Sequence, residues 1–334
     1  MFNTYIGTTN GVYQLSRGDL QPLGLEGERI WAIHAWHDGD TDVVLAGSYG
    51  NGMFRSTDGG QNWSPANDGL TASAFRTIAP DPHRPGAILA GTEPGRIYRS
   101  EDGGLSWSEL SGVLALEGIE TWYLPYSPRA GAVRNIYAPS GDTSRLLASV
   151  EVGGLLDSRD GGDTWSYIRV LHDDDLHHIT GHPHDPNLLY ASLGYASIKR
   201  EDRDSGYRFG GIACSRDGGA TWHKLETDYT RATIIPPSHP DLLLAGPAPQ
   251  VGQNGRIVVS ANGGDTWQPA SNGIDTPMPD MVELFVAAPD NTIWAICSGG
   301  RLLTATPDEW EWHSALGDDV EIEVEAVRFV LQSA

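Results

Sequence analysis

Short apolar runs recur along this chain, and each ends in a cluster of glycine, aspartate, asparagine or proline. A run of the LLLAG type appears at Val44–Gly47, Ile88–Gly91, Leu188–Ser192 and Leu242–Gly246. A second set reads IWAIHAWH, FRTIAPDP, TWYLPYSP, LHHITGHP, TRATIIPP, VELFVAAP and VEAVRFV, with first and fourth positions mostly apolar or Thr. Runs this short, bounded by turn residues, predict strands rather than helices. The 41 glycines and 21 prolines follow no collagen period, so they predict many turns and many short strands.

The turns themselves repeat. STDGGQNW (Ser56 to Trp63), SEDGGLSW (Ser100 to Trp107), SRDGGDTW (Ser158 to Trp165), SRDGGATW (Ser215 to Trp222) and SANGGDTW (Ser260 to Trp267) are near copies of one motif. LLTATPDEWEW keeps a hydroxyl, Asp308 and Trp310, while VYQLSRGDLQPL keeps only the strand and Ser16. Anchors at 16, 56, 100, 158, 215, 260 and 304 are 40, 44, 58, 57, 45 and 44 residues apart. A four-stranded propeller blade takes roughly 40–45 residues, so each long gap is a blade plus an insertion. Seven anchors predict an all-β, seven-bladed β-propeller with four-stranded antiparallel blades, one domain over residues 1–334. Residues 1–26 carry strands without an innermost one, and residues 321–334 carry a strand with no turn motif after it. Together they predict one shared blade, whose closure removes an open sheet edge.

The motif reads mechanically. Asp-Gly-Gly after a β-run is hairpin chemistry: glycine accepts φ > 0, and the Asp side chain accepts turn N–H groups. The Trp folds back as an apolar plug whose indole N–H finds a carbonyl. This is a structural staple and not a catalytic site.

The Ser-x-Asp-x-Gly-x-x-Trp pattern resembles the Asp-box (BNR) repeat of β-propellers, which include sialidases, xyloglucanases, sortilin-type receptors and a photosystem II assembly factor. The resemblance covers essentially the whole chain. It implies the fold and leaves function open, since hydrolases, receptors and scaffolds share it. The sialidase Arg-Ile-Pro motif is missing: Arg29, Arg96 and Arg256 precede Ile, but no Pro follows. The resemblance also implies that innermost strands start at one face, the top, and that the Asp-box turns lie on the bottom.

On that basis the second positions of the innermost strands form a ring at the top mouth of the central channel. They are Trp31, Arg76, Trp122, His177, Arg231, Glu283 and Glu325. None is small or aliphatic, which suits a ligand mouth; the plainer reading is a self-neutralising ring of ion pairs. Glu283 and Glu325, with His177, are the candidate acid–base groups. Trp31, Arg76, Trp122 and Arg231 are the candidate ligand contacts. The segment Leu193 to Gly211 predicts a recognition loop on the same face. The PAPQVGQNG loop and His172 to Asp175 are placed there too.

Composition narrows the partners. With 22 Lys+Arg against 44 Asp+Glu, the net charge of −22 argues against nucleic acid and anionic membrane surfaces. No apolar run approaches the ~20 residues of a membrane span. The start, MFNTYIGTTNG, lacks signal-peptide regions, which predicts a cytoplasmic protein, or a secreted one if this is a mature chain. Cys214 and Cys297 are expected to be buried reduced thiols. No cofactor is expected. His182 and His184, like His83, His239 and His37, fall in bottom-face turns. Only His177, with His172 and Asp173 to Asp175, could join a metal site.

Three functional readings follow. One is a small-ligand or glycan-binding propeller with glycoside-hydrolase-like chemistry, in which Glu283 and Glu325 flank a sugar stacked on Trp31. Another is a non-catalytic binder of an anionic ligand or a protein partner, held by Arg76, His177 and Arg231. The third is a lyase, lactonase-type or metal-dependent enzyme.

Overall fold

The computed structural model describes residues 2–16, 18–122, 131–195, 208–317 and 320–332. Seven four-stranded antiparallel sheets form the ring. Blade 1 takes its innermost strand from the C-terminus: Val324–Leu331 pairs with Phe2–Thr8, followed outward by Gly11–Ser16 and Asp19–Pro22. The other innermost strands are Ile30–His37, Ala74–Pro80, Ala132–Tyr137, Leu176–His182, Tyr229–Ile234 and Val282–Ala287, in blades 2 to 7. Among the described residues no helix is long and apolar enough to cross a membrane.

The sheets are covered on both faces by their neighbours, so their second strands are largely buried, throughout in DVVLAGS (Asp42–Ser48). The cores lie between blades rather than within them. Ile30, Ile33 and Val44 of blade 2 pack on Tyr5, Val12 and Ala326 of blade 1. Phe285 and Ala295 of blade 7 pack on Leu244 and Ile257 of blade 6. Gly47 and Gly91 sit where a Cβ would lie 2.6 Å from Phe75 or Val133 of the next blade, so they set the blade spacing.

The Asp-box turns are at the ring's bottom, each closed by its Ser–Asp pair, or by Ser260–Asn262 in the fifth. In the Asp160 copy, Ser158 Oγ donates to Asp160 Oδ1 at 2.9 Å and accepts from Gly162 N at 2.8 Å. Asp160 Oδ1 then accepts from Thr164 N at 2.9 Å. Four Trp indoles find a carbonyl, Trp63 and Trp107 donating to Leu23 and Ala66 of the preceding blade and Trp165 and Trp222 to their own turns, whereas Trp267 Nε1 is buried without a partner, against expectation. In blade 7 it is Trp312, not Trp310, that reaches back, donating to the Ala270 carbonyl at 2.7 Å. The turns also tie neighbouring blades together. Arg55 Nε donates to the Gly103 carbonyl at 2.8 Å and Arg145 Nη2 to the Gly218 carbonyl at 2.7 Å. Both cysteines are free and buried, and burial pushes their thiols up.

One expectation fails. The innermost strand of blade 4 is Ala132–Tyr137, not TWYLPYSP, of which residues 123–128 lie outside the described residues. Trp122 follows a 3-10 turn (Ile119–Thr121) and is 9% exposed, packed with Val113, Val133, Val150 and Trp165 between blades 3 and 4. A Cβ on Gly131 or Gly153 would come within 2.9 Å of its ring, so these glycines make room for the indole. Trp122 is a core residue and leaves the ring position to Arg134.

Candidate ligand site at the channel mouth

With Arg134 in place of Trp122, the seven ring side chains line one cavity of about 420 Å³. A backbone irregularity common to all the blades puts them there. Each innermost strand is one residue longer than its partner at this point. In blade 2, Ile30 pairs with Ser48 and Ala32 with Gly47, leaving Trp31 as the extra residue. The same shift leaves over Arg76, Arg134, His177, Glu283 and Glu325. In blade 6, Arg231 and Ala232 together lie opposite Gly246. A bulge lifts a residue out of the alternation that would bury it between sheets and re-aims it, here into the mouth.

The mouth is a network of paired charges. Arg231 Nη1 bonds both oxygens of Glu283, at 2.6 and 2.7 Å, and its Nε donates to Tyr229 Oη at 2.8 Å. Tyr229 Oη lies 2.9 Å from His177 Nε2, which is 3.4 Å from Asp175 Oδ1. Arg134 Nη1 is 3.2 Å from Glu151 Oε2, and Arg76 Nη2 is 3.6 Å from the same oxygen. Arg76 Nε lies 3.1 Å from Glu93 Oε2. Arg29, just before blade 2, donates from Nε to Glu325 Oε1 at 2.9 Å. Burial pushes the Glu151 carboxyl up, but Arg134, His177, Arg76 and Arg231 outweigh it and hold it at about 2. Burial pushes the Tyr229 phenol up as well, and raises the cost of losing its hydrogen bonds.

Glu283 and Glu325 do come from adjacent blades and share the cavity. Each is bound to an arginine, and both Glu283 oxygens are taken by one guanidinium nitrogen. Trp31 is not a bare platform: the Arg76 and Arg29 guanidinium carbons lie 3.8 and 4.4 Å from its ring, and Tyr49 4.0 Å. Glu151, Asp175 and His177 bring ligand atoms within 4.8 Å of one another. Two guanidinium groups already reach Glu151, and a phenol holds His177 Nε2, so the cluster is ill suited to a cation.

Sequence reading missed Arg134, Glu93 and Glu151. VRNI (133–136) copies the FRTI of blade 3 (75–78), which would have found Arg134. Glu93 and Glu151 close the second strands ILAGTE and LLASVE at equivalent places. In blade 5 the equivalent place is Gly194, where a Cβ would lie 2.2 Å from Asp175 Oδ2 and 2.6 Å from His177 Nε2. Of the expected recognition loop, residues 196–207 lie outside the described residues. Its ends are anchored: Gly210 N donates to Asp173 Oδ1 at 3.0 Å, and Tyr195 packs on Tyr229 at 4.7 Å. The PAPQVGQNG loop supplies Gly252 to the cavity.

Known proteins agree with this architecture. The BNR/Asp-box repeat profile matches residues 54–65. No curated protein matches the sequence. The GH74 xyloglucanase from Xanthomonas campestris superimposes with a TM-score of 0.67 at 18% identity, over 94% of this chain and 52% of that one. This chain thus spans about half the length of that enzyme. YCF48 bound to D1 peptide gives a TM-score of 0.60 at 19% identity, covering 92% of this chain and 90% of the other. Chaetomium thermophilum Sqt1, bound to the N-terminus of ribosomal protein L10, gives 0.59 at 14%, covering 94% and 84%. At these identities the likeness is one of fold. Together with the five Asp boxes, it makes the chain a seven-bladed β-propeller of the BNR/Asp-box type.

Proposed function

We propose that the top mouth is a recognition site for a carboxylate- or phosphate-bearing group, carried by a small molecule or by a protein segment, and that it binds without hydrolysing. The observation that carries this reading is the convergence of Arg29, Arg76, Arg134 and Arg231, with His177, on one cavity. Donors remain there after the internal pairs are made. Arg29 Nη1 and Arg231 Nη2 have no hydrogen bond among the described residues, while both oxygens of Glu283 are used. Such a lining favours a ligand rich in acceptors and poor in donors, and Arg forks suit carboxylate and phosphate. The peptide complexes of YCF48 and Sqt1 support a chain segment as one form of that ligand. A glycosidase would require Glu283 or Glu325 to leave its arginine, and a sugar would have to displace Arg76 or Arg29 from Trp31.

Titration calorimetry with succinate, phosphate, an acidic peptide and a neutral xyloglucan oligosaccharide tests this. The anions should bind, and added salt and Arg231→Ala should each weaken them, the variant about tenfold or more. Binding and cleavage of the neutral oligosaccharide, with cleavage lost in Glu283→Gln, would replace this reading with the hydrolase.

A further inference from the structure

A second cationic position lies below the mouth and takes no part in its network. Arg328 is three residues beyond Glu325 on the innermost strand Val324–Leu331, about 10 Å deeper at the ~3.3 Å rise of a strand. It sits opposite Tyr5 in the register. Directly opposed residues of an antiparallel pair share a face, and Tyr5 reaches blade 2, its Oη donating to Asp42 Oδ2 at 2.8 Å. Arg328 therefore faces the inner strand of blade 2, beside the channel. No acidic side chain among the described residues pairs with it, and its buried Nε has no hydrogen-bond partner. Asp42, the carboxylate on this face, is taken up by Tyr5, by Asn3 at 2.7 Å and by His37 Nδ1 at 3.0 Å. The neighbouring inner strand contributes His34, 4% exposed, whose Nδ1 is also unsatisfied. Burial and then the Arg328 charge push the imidazole down to about 3, so it supplies no second charge.

Arg328 is half-buried, with its Nε fully buried and unpartnered, and a cation taken so far out of water is ordinarily paired. Nothing on the innermost strands of blades 1 and 2 pairs this one. We propose that Arg328, with His34 beside it, forms a site within the channel wall for a small inorganic anion of halide size, separate from the mouth. The anion would supply the missing counter-charge between the first and last segments of the ring, and so would tighten the closure that joins them. This inference does not depend on what the mouth binds.

Chloride tests it directly. Thermal melting is followed as sodium gluconate is replaced by sodium chloride at constant ionic strength. The wild type should gain several degrees in a saturable way, because a ligand that binds only the native state stabilises it by mass action. Arg328→Met, which removes the charge and keeps the stem, should show a flat response, and Arg328→Lys should keep part of it. Bromide soaked into wild-type crystals should give an anomalous peak beside the Arg328 guanidinium, a reading that needs no variant to fold. A wild type indifferent to chloride, an unchanged chloride response in Arg328→Met, stabilisation by phosphate alone, or a bromide peak only at the mouth would each overturn the proposal.

Discussion

At the scale of single residues the site is made by insertion. Ordinary alternation sends an inner-strand side chain to one sheet face or the other, where it packs between blades. One extra residue per strand breaks that alternation, so the ring can carry Arg, Glu, His and Trp without burying them in the cores. This is why the ring was legible in the sequence as a column of polar residues inside otherwise apolar runs. The partners Glu93 and Glu151 were not legible, because they lie 17 and 75 residues from Arg76, at strand ends that pattern alone does not orient. Gly194 tests the packing behind the ring. A methyl group there would lie 2.2 Å from Asp175 Oδ2, so Asp175 and His177 must move. Overpacking of this kind costs about 1–3 kcal/mol. Gly194→Ala should lower the melting temperature and also weaken succinate binding, because His177 loses its position on Tyr229. A variant that melts and binds as the wild type does would show that the Asp175–His177–Tyr229 chain is not needed for the site.

At the scale of elements, the turns were the readable part and the insertions were not. Each of the five clear boxes announces itself by Ser, Asp (Asn262 in the fifth), two Gly and Trp, and with the two weaker anchors they set the blade count. The blade 4 strand was misplaced because the chain between Glu109 and Ala132 holds an apolar stretch, TWYLP, that imitates an innermost strand. What decided against it was packing: Trp122 fits a slot opened by Gly131 and Gly153, and VRNI continues into the sheet. The boxes make a prediction about acid. Hydrogen bonds from Asn62, Thr164 and Thr221, with those from Ser56, Ser158 and Ser215, hold Asp58, Asp160 and Asp217 at about 2. Burial pushes Asp102 up, but hydrogen bonds from Ser106 and Ser100 outweigh it and bring it to the same value. A carboxyl lowered in the folded state contributes stability above its unfolded pKa of about 4 and loses it as pH falls through about 2. Melting temperature should therefore drop between about pH 4 and pH 2, and Asp160→Asn should flatten part of that drop. A profile identical in wild type and Asp160→Asn would mean that the boxes hold their turns without the charge.

At the scale of the whole molecule, stability depends on joining the two ends. Every blade is a sheet whose faces are covered only by its neighbours, so the ring needs a complete circuit. Val324–Leu331 contributes to both sides of the joint: Ala326 and Val330 pack toward blade 2, while Val324 and Val327 pack toward blade 7. It also makes the backbone ladder with Phe2–Thr8. Burying a valine is worth about 1.5–3 kcal/mol, so Val324, Val327 and Val330 together contribute about 5–9 kcal/mol. That is comparable with the ~5–15 kcal/mol by which native proteins exceed their unfolded states. Removing residues 323–334 should thus abolish cooperative unfolding, or leave a protein that aggregates through the exposed edge of Phe2–Thr8. The same deletion takes Glu325 from the mouth and Arg328 from the channel wall, so loss of binding alone would not identify the cause. A synthetic peptide of the deleted sequence separates the effects. Added in trans, it should dock as the missing strand and restore a cooperative melt, whereas a peptide carrying Val327→Asp should not. A truncated chain that melts as the intact one does would mean that six blades and an open edge suffice, and that the shared blade is not what holds the ring closed.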